Sequence, residues 1–404
     1  MPSTLFQHVA LAPRDPILGL TEQFAADPRA DKVNLGVGVY FDDQGKLPVL
    51  KCVAAAERAL LGAAKPKGYL PIDGIAAYDR AVQGLVFGAE ECAVLRDKRV
   101  ATVQALGGTG GLKLGADFLK WLNPAAAVLI SDPSWENHRA LFTQAGFEVA
   151  SYPYYDAATR GVRFPAMLAA LRAARPGTVV VLHACCHNPT GCDLLPAQWA
   201  EVVAACKAGA LVPFLDMAYQ GFGDGIAEDG AVVQRFVEAG LPFLISTSFS
   251  KSFSLYGERV GALSVVCADA DEAARVLSQL KIVIRTNYSN PPTFGAQLVA
   301  AVLTTPALRR QWEEELAGMR ERIRAMRVAL VQHLRAAGVA GNAGELDYIT
   351  RQKGMFSYSG LSTAQMQRLR TEFGIYGIDS GRICVAALNT GNLPRVAAAL
   401  AHVM

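Results

Sequence analysis

From Val100 onward the chain repeats one pattern, a short apolar run followed by a helical stretch. The runs are Val100–Leu106, Ala127–Ser131, Val149–Tyr152, Val179–His183, Val212–Asp216, Phe243–Ser248 and Val260–Ala268. Near-continuous apolar runs of this length read as strands covered on both sides. Their alternation with helices predicts an α/β architecture, a mostly parallel seven-stranded sheet with helices on both faces. Behind them, Ala307–Ala337 is dense in Glu, Arg, Leu and Met, is bounded by Pro306 and Gly338, and predicts one long helix linking two domains. Ser362-Thr-Ala-Gln365 then predicts a capped helix to Phe373, and Arg382–Leu388 a strand, within a smaller α+β domain.

In an open sheet of this kind ligands gather beyond the carboxyl ends of the strands, and here chemically loaded residues follow the runs. Gly107-Gly-Thr-Gly-Gly111 opens the amphipathic pattern Leu112–Leu122, so the amides of residues such as Gly108 and the Thr109 hydroxyl converge on the positive end of a helix, a place for phosphate. The spacing is neither a dinucleotide fingerprint nor a Walker loop, and a tight turn is the other reading. Lys251 stands in Ser246-Thr-Ser-Phe-Ser-Lys-Ser-Phe-Ser, directly after an apolar run and close to Arg259. Low dielectric and a neighbouring cation both favour a neutral, nucleophilic amine, and the hydroxyls and guanidinium suit a phosphate. Pyridoxal phosphate needs both; the alternative is a solvated lysine in a polar loop.

Asp216 ends an apolar run, where an ionised carboxylate needs a partner: a protonated pyridine nitrogen, a helix N-terminus or a core cation. Tyr219 and Asn188 suit the phenolic oxygen of such a ring, although Asn188-Pro-Thr-Gly also reads as a plain turn. Trp135 suits the face of a flat ring, or core packing. Arg382, set among Ile383, Cys384 and Val385, calls for an anion, either a substrate carboxylate or a structural partner.

Bulk properties narrow the field. A formal net charge of +3 over 404 residues, with no dense basic block, argues against nucleic acid and anionic membrane partners and for small molecules. No run is long and apolar enough to span a bilayer, and Arg14 and Asp15 interrupt Met1–Leu20, which argues against a signal peptide. The 8 cysteines are scattered; Cys185, Cys186 and Cys192 lack a second pair to close a zinc site, so no metal is expected and a reducing cytoplasm is.

These residues together resemble the class I, fold-type I pyridoxal-phosphate aminotransferases, in their aspartate/aromatic amino acid (tyrosine) branch. The resemblance runs from Asp15-Pro-Ile to the C-terminus through Asn34-Leu-Gly-Val-Gly-Val-Tyr40, Tyr69-Leu-Pro-Ile72, Ser131-Asp-Pro-Ser-Trp135, His187-Asn-Pro-Thr-Gly191, Asp216-Met-Ala-Tyr219, Ser248-Phe-Ser-Lys251, Arg285-Thr-Asn-Tyr-Ser-Asn-Pro-Pro292 and Gly381-Arg382. Where aspartate-specific members commonly have Ser-Gly-Thr, this chain has Gly107-Gly-Thr, one hydroxyl fewer. That feature, with Cys185-Cys-His187 and Ser357-Tyr-Ser359, looks more like the bacterial aromatic enzymes.

The resemblance implies a large cofactor-binding domain at 46–310 and a smaller α+β domain from both termini, 1–45 and 311–404. It implies that Lys251 holds pyridoxal 5′-phosphate in Schiff-base linkage and moves the proton, that Gly108, Thr109, Ser248 and Arg259 hold the phosphate, and that Asp216, with His138 behind it, pairs with the pyridine nitrogen. Asn188 and Tyr219 take the phenolic oxygen. Arg382, Asn188, Trp135 and the Gly38 backbone hold the α-carboxylate. In a homodimer with shared sites, Tyr69 reaches the neighbour's phosphate and Arg285 the distal carboxylate of the neighbour's substrate. The implied reaction moves the amino group of tyrosine, phenylalanine and aspartate to 2-oxoglutarate by a ping-pong route, with a dedicated aspartate aminotransferase as the alternative.

Overall fold

The computed structural model describes residues 4–12, 17–64, 66–88, 92–339 and 346–404; Arg14, Asp15 and Pro16 lie outside them. All seven apolar runs are strands of one sheet: β1 Val100–Leu106, β2 Ala127–Asp132, β3 Glu148–Pro153, β4 Val179–His183, β5 Val212–Met217, β6 Phe243–Ser248 and β7 Val260–Val266. Their order across the sheet is β1-β7-β6-β5-β4-β2-β3, with β7 antiparallel to both neighbours and the other pairs parallel. Strand residues alternate between two apolar cores: Val180, Leu182, Leu215 and Ile245 face one, Val179, Val181, Phe214 and Leu244 the other. Burial on both faces explains why the runs lack polar alternation.

The one antiparallel strand has a consequence for the cleft. Because β7 runs backwards, its first residue, Val260, lies opposite Leu106 at the end of β1, and Gly261 lies opposite Ser248 at the end of β6. Arg259 therefore arrives at the edge where the parallel strands end.

Helix α1 spans Gly107–Leu122, so the glycine run forms its first turns instead of a loop ahead of it. The glycines are there because the helix lies close on the sheet. A Cβ at Gly111 would meet Ser246 Oγ at 2.5 Å, and one at Gly115 would meet Phe214 Cζ at 2.4 Å. Helix α2 is Glu136–Gln144 and the long helix α3 is Pro306–Ala336, with Pro306 in its first turn, where proline is tolerated.

Arg327 of α3 is 2% exposed, and among the described residues no carboxylate pairs with it. It donates to the carbonyls of Ile349, Gly354 and Phe356, and burial lowers its pKa to about 10. The helix Thr363–Phe373 has the expected box, with Ser362 and Gln365 exchanging bonds. The strand expected at Arg382–Leu388 stops at Cys384. The amides of Val385 and Ala386 both turn to the Met355 carbonyl, which coils Val385–Ala387 into a 3₁₀ turn. Residues from opposite ends of the chain pair directly, Val33–Asn34 with Ile375–Tyr376. Among the described residues no helix is long and apolar enough to cross a membrane.

The same substitution has opposite signs at two helical glycines. Gly115→Ala pushes a methyl into Phe214 and is expected to cost about 1–3 kcal/mol. Gly318, exposed within α3, would meet nothing within 4 Å, and Gly318→Ala is expected to stabilise by about 0.5–1 kcal/mol. Thermal unfolding midpoints of the two variants should move in opposite directions from that of the parent.

Candidate active site

A cleft of about 250 Å³ opens at the carboxyl edge of the sheet. Lys251 lies in the turn after β6, tied by the Phe249 amide to the Val260 carbonyl and by the Ser254 amide to the Lys251 carbonyl. Its ammonium stands 4.9 Å from the centre of the Tyr219 ring. Burial lowers its pKa to about 8; Asp216 opposes the shift and the positive charges of Arg259 and Arg382 add to it. The amine is thus neutral far more often near pH 7 than an ordinary lysine, as a nucleophile or proton acceptor requires.

Asp216, at the end of β5, is 6% exposed. Its Oδ2 accepts from His138 Nε2 at 2.9 Å, and the other ring nitrogen of His138 meets Ser134 Oγ at 2.9 Å. Burial alone would raise the Asp216 pKa, but the His138 hydrogen bond and the positive field of its neighbours bring it below the ordinary carboxyl value. The result is an ionised carboxylate lining the cleft, a partner for a positively charged ring nitrogen.

Gly108, Thr109, Ser248 and Arg259 line the same cleft, with Ser248 beside Gly108 and Arg259 beside Gly107. The start of α1 is pinned by Ser246 Oγ donating to the Gly108 carbonyl and by the Gly107 amide donating to the Arg259 carbonyl. Gly107 has φ +69°, which favours glycine, and a Cβ there would lie 2.6 Å from Arg259 Nη2, so a larger residue at this position would make the guanidinium shift. Helix amides, a hydroxyl pair and a cation make an anion site.

Arg382 is 1% exposed and donates to Asn188 Oδ1 at 3.0 Å and to the Gly36 carbonyl at 2.8 Å. The Phe356 ring covers one face of its guanidinium at 4.3 Å and also packs edge-on against Tyr219, with ring centres 5.9 Å apart. A Cβ on Gly38 would touch Phe356 Cζ at 2.8 Å. Trp135, just before α2, lines the cleft and stands edge-on to His138.

Of the residues singled out in the sequence, Lys251, Asp216, Tyr219, Asn188, Gly108, Thr109, Ser248, Arg259, Trp135, Gly38 and Arg382 line this one cavity, and His138 stands directly behind Asp216. Tyr69 and Arg285 do not. Tyr69 is 95% exposed, and Arg285 is exposed and donates to Ser289 Oγ. The sequence reading missed His183, Ser250, Tyr256 and Phe356, all of which line the cleft. His183 ends β4 and is buried, and among the described residues neither ring nitrogen has a hydrogen-bond partner. Burial and then His138 lower its pKa to about 3, which keeps it neutral. Its signal was its place at the last position of a strand, the same logic that singles out Asp216.

A family model described as aminotransferase class I and II matches residues 30–400. An aspartate aminotransferase of Pseudomonas aeruginosa is 59% identical over 99% of this chain and 100% of its own length. An aromatic-amino-acid aminotransferase of Escherichia coli is 55% identical with the same coverage. The crystal structure of an aromatic-amino-acid aminotransferase from Burkholderia pseudomallei, covalently bound to pyridoxal phosphate, is similar with a TM-score of 0.96 and 64% identity over 99% of this chain and 100% of that one. With a catalytic-type lysine facing an ionised aspartate across a cleft that also holds an anion site and a buried arginine, and with similarity along its whole length, the chain belongs to the class I and II aminotransferases.

Proposed function

We propose that this enzyme moves the amino group of tyrosine, phenylalanine and aspartate to 2-oxoglutarate, using pyridoxal 5′-phosphate. The observation that carries the reading is the placement of Lys251, Asp216, Arg259 and Arg382 around one small cavity. The residues fit the cofactor. The glycine turn leaves room beside Arg259 that a Cβ would fill, and Asp216 is held ionised where a pyridine nitrogen needs a counter-charge. When bound, pyridoxal phosphate supplies an electron sink that lets the α-C–H bond of an amino acid ionise.

The protein's share follows from its own groups. Gly108, Thr109, Ser248 and Arg259 grip the phosphate. Asp216, oriented by His138, keeps the ring nitrogen protonated, while Asn188 and Tyr219 take the phenolic oxygen and Trp135 covers a ring face. Lys251 holds the cofactor covalently and, once released by the substrate amine, takes and returns the proton at the substrate α-carbon. Arg382 clamps the α-carboxylate in a bidentate pair, with Asn188, Trp135 and the Gly38 backbone beside it. We place the cofactor in a body at 46–310, with 1–45 and 311–404 forming the smaller part that carries Arg382. All eight cysteines are free thiols, which supports a cytoplasmic setting.

We read Tyr69 and Arg285 as completing the cleft of a second copy. Both are exposed and stand outside their own cavity. A preference for aspartate is the second reading, favoured by the 59% identity to an enzyme of that name. A panel of amino donors (aspartate, tyrosine, phenylalanine and leucine) with 2-oxoglutarate as acceptor separates the two. Comparable rates for tyrosine and aspartate support dual use, and turnover of aspartate alone selects the second reading.

Lys251→Ala is expected to abolish transamination while still retaining the cofactor non-covalently. In the parent apoenzyme the rate of covalent capture of pyridoxal phosphate should rise as pH passes through about 8, because the amine reacts only when neutral. A capture rate that keeps climbing towards the value of an ordinary lysine would show that the amine is not depressed.

Arg285→Leu should remove charge-assisted bonds worth about 1.5–3 kcal/mol each towards aspartate and 2-oxoglutarate, with far smaller loss for tyrosine or phenylalanine. Arg382→Leu should damage every substrate. Single half-reactions are the measurement, since a dicarboxylate acceptor in a full cycle hides the difference. Mixed dimers of Arg285→Leu and Lys251→Ala chains should regain dicarboxylate activity by rebuilding one intact cleft, and no recovery after verified exchange counts against sharing.

A further inference from the structure

The guanidinium of Arg382 is buried against neutral dipoles. Its close hydrogen bonds go to Asn188 Oδ1 and the Gly36 carbonyl, and an aromatic face closes one side. Among the described residues one carboxylate comes within 4.0 Å, that of Glu136, whose Oε2 lies 3.9 Å from Arg382 Nη1. That separation is too long for a hydrogen bond. Among the described residues neither Glu136 Oε2 nor Arg382 Nε, both buried, has a hydrogen-bond partner. Glu136 is the first residue of α2, directly after Trp135, and does not line the cleft itself.

We propose that Glu136 is the resident counter-charge of Arg382 and sets how tightly the clamp holds a carboxylate and how readily it lets go; the proposal rests on the reading of Arg382 as the α-carboxylate clamp. A single positive charge shared between two anions binds the second more weakly than it would bind one alone, because the anions repel each other across the guanidinium. Every substrate and every product carries an α-carboxylate, so the weakening is common to all of them. An exchange reaction benefits, since each oxo acid must leave through the same clamp before the next substrate enters. The field of Glu136 is felt beside the clamp as well. Tyr358, which lies opposite Arg382 in their two-stranded sheet, has its phenol pKa raised by burial first and then by Asp132 and Glu136. Glu136 thus acts through Arg382 as a positioning residue without touching substrate.

The test is calorimetric titration of the holoenzyme with 3-phenylpropionate, a monocarboxylate that lacks an amino group and cannot react. Glu136→Gln should bind it roughly three- to tenfold more tightly than the parent, and KM for phenylalanine and aspartate should fall by a common factor. A merely structural role would not tighten binding. Glu136→Asp, which keeps the charge but withdraws it, should also bind more tightly than the parent and serves if the glutamine variant fails to fold. Unchanged or weaker binding in these variants, with probe binding lost in Arg382→Leu, overturns the counter-charge role and leaves the clamp standing. Probe binding retained in Arg382→Leu overturns the clamp reading itself.

Discussion

The cleft depends on keeping Asp216 charged inside the protein. A carboxylate at the end of a strand buried on both faces protonates unless something answers its charge. His138 answers it at 2.9 Å, and it does so from the first turn of a different element, the helix that follows β2. The Ser134 hydroxyl occupies the far ring nitrogen, so the imidazole is held in one orientation. His183 stands between this pair and His187, with ring centres 5.0 and 4.3 Å away. Being neutral, it adds no competing positive charge next to the aspartate. One buried acid therefore ties the end of β5 to the helix that follows β2.

The sheet explains why the other charges collect at the same edge. Parallel strands deliver Ser131, His183, Asp216 and Ser248 at their carboxyl ends, and the reversed strand β7 delivers Arg259 at its amino end. Without that reversal Arg259, which directly precedes its strand, would lie on the opposite edge, far from Gly108 and Ser248. The glycines of α1 complete the arrangement by letting its backbone approach Ser246 and the β7 carbonyl of Ala262 within distances that no side chain tolerates. Close approach of a helix start to a strand end concentrates amide dipoles and a guanidinium where an anion would sit.

Much of this was legible in the residues. Seven apolar runs of strand length named the seven strands, and a lysine, an aspartate and an arginine placed directly at strand ends stood out because charge there needs a reason. What was not legible had no such contrast. Phe356 is an apolar residue in a short strand, and only the fold shows that its ring reaches Arg382, Gly38 and Tyr219 together. His183 looked like the last letter of a β-run. The strand read at Arg382–Leu388 failed at Cys384 because periodicity cannot see that two successive amides share the Met355 carbonyl. The start of α1 was placed late because glycine has low helix propensity, and packing against the sheet overrode it.

The two arginines differ in a way that bears on breadth of substrate. Arg382 is enclosed, with its two terminal nitrogens bonded to Asn188 and Gly36 and its face against Phe356, so its position is set by the folded protein before any ligand arrives. Arg285 is exposed on the last turn of its helix and leans on Ser289, a neighbour within the same turn region. On the proposed reading the enclosed cation meets the group that all substrates share, and the exposed one meets the group that differs between aspartate and tyrosine. An enzyme that had buried both would bind dicarboxylates more rigidly and would leave an unpaired charge facing an aromatic ring, a cost that an arginine free to turn towards water avoids.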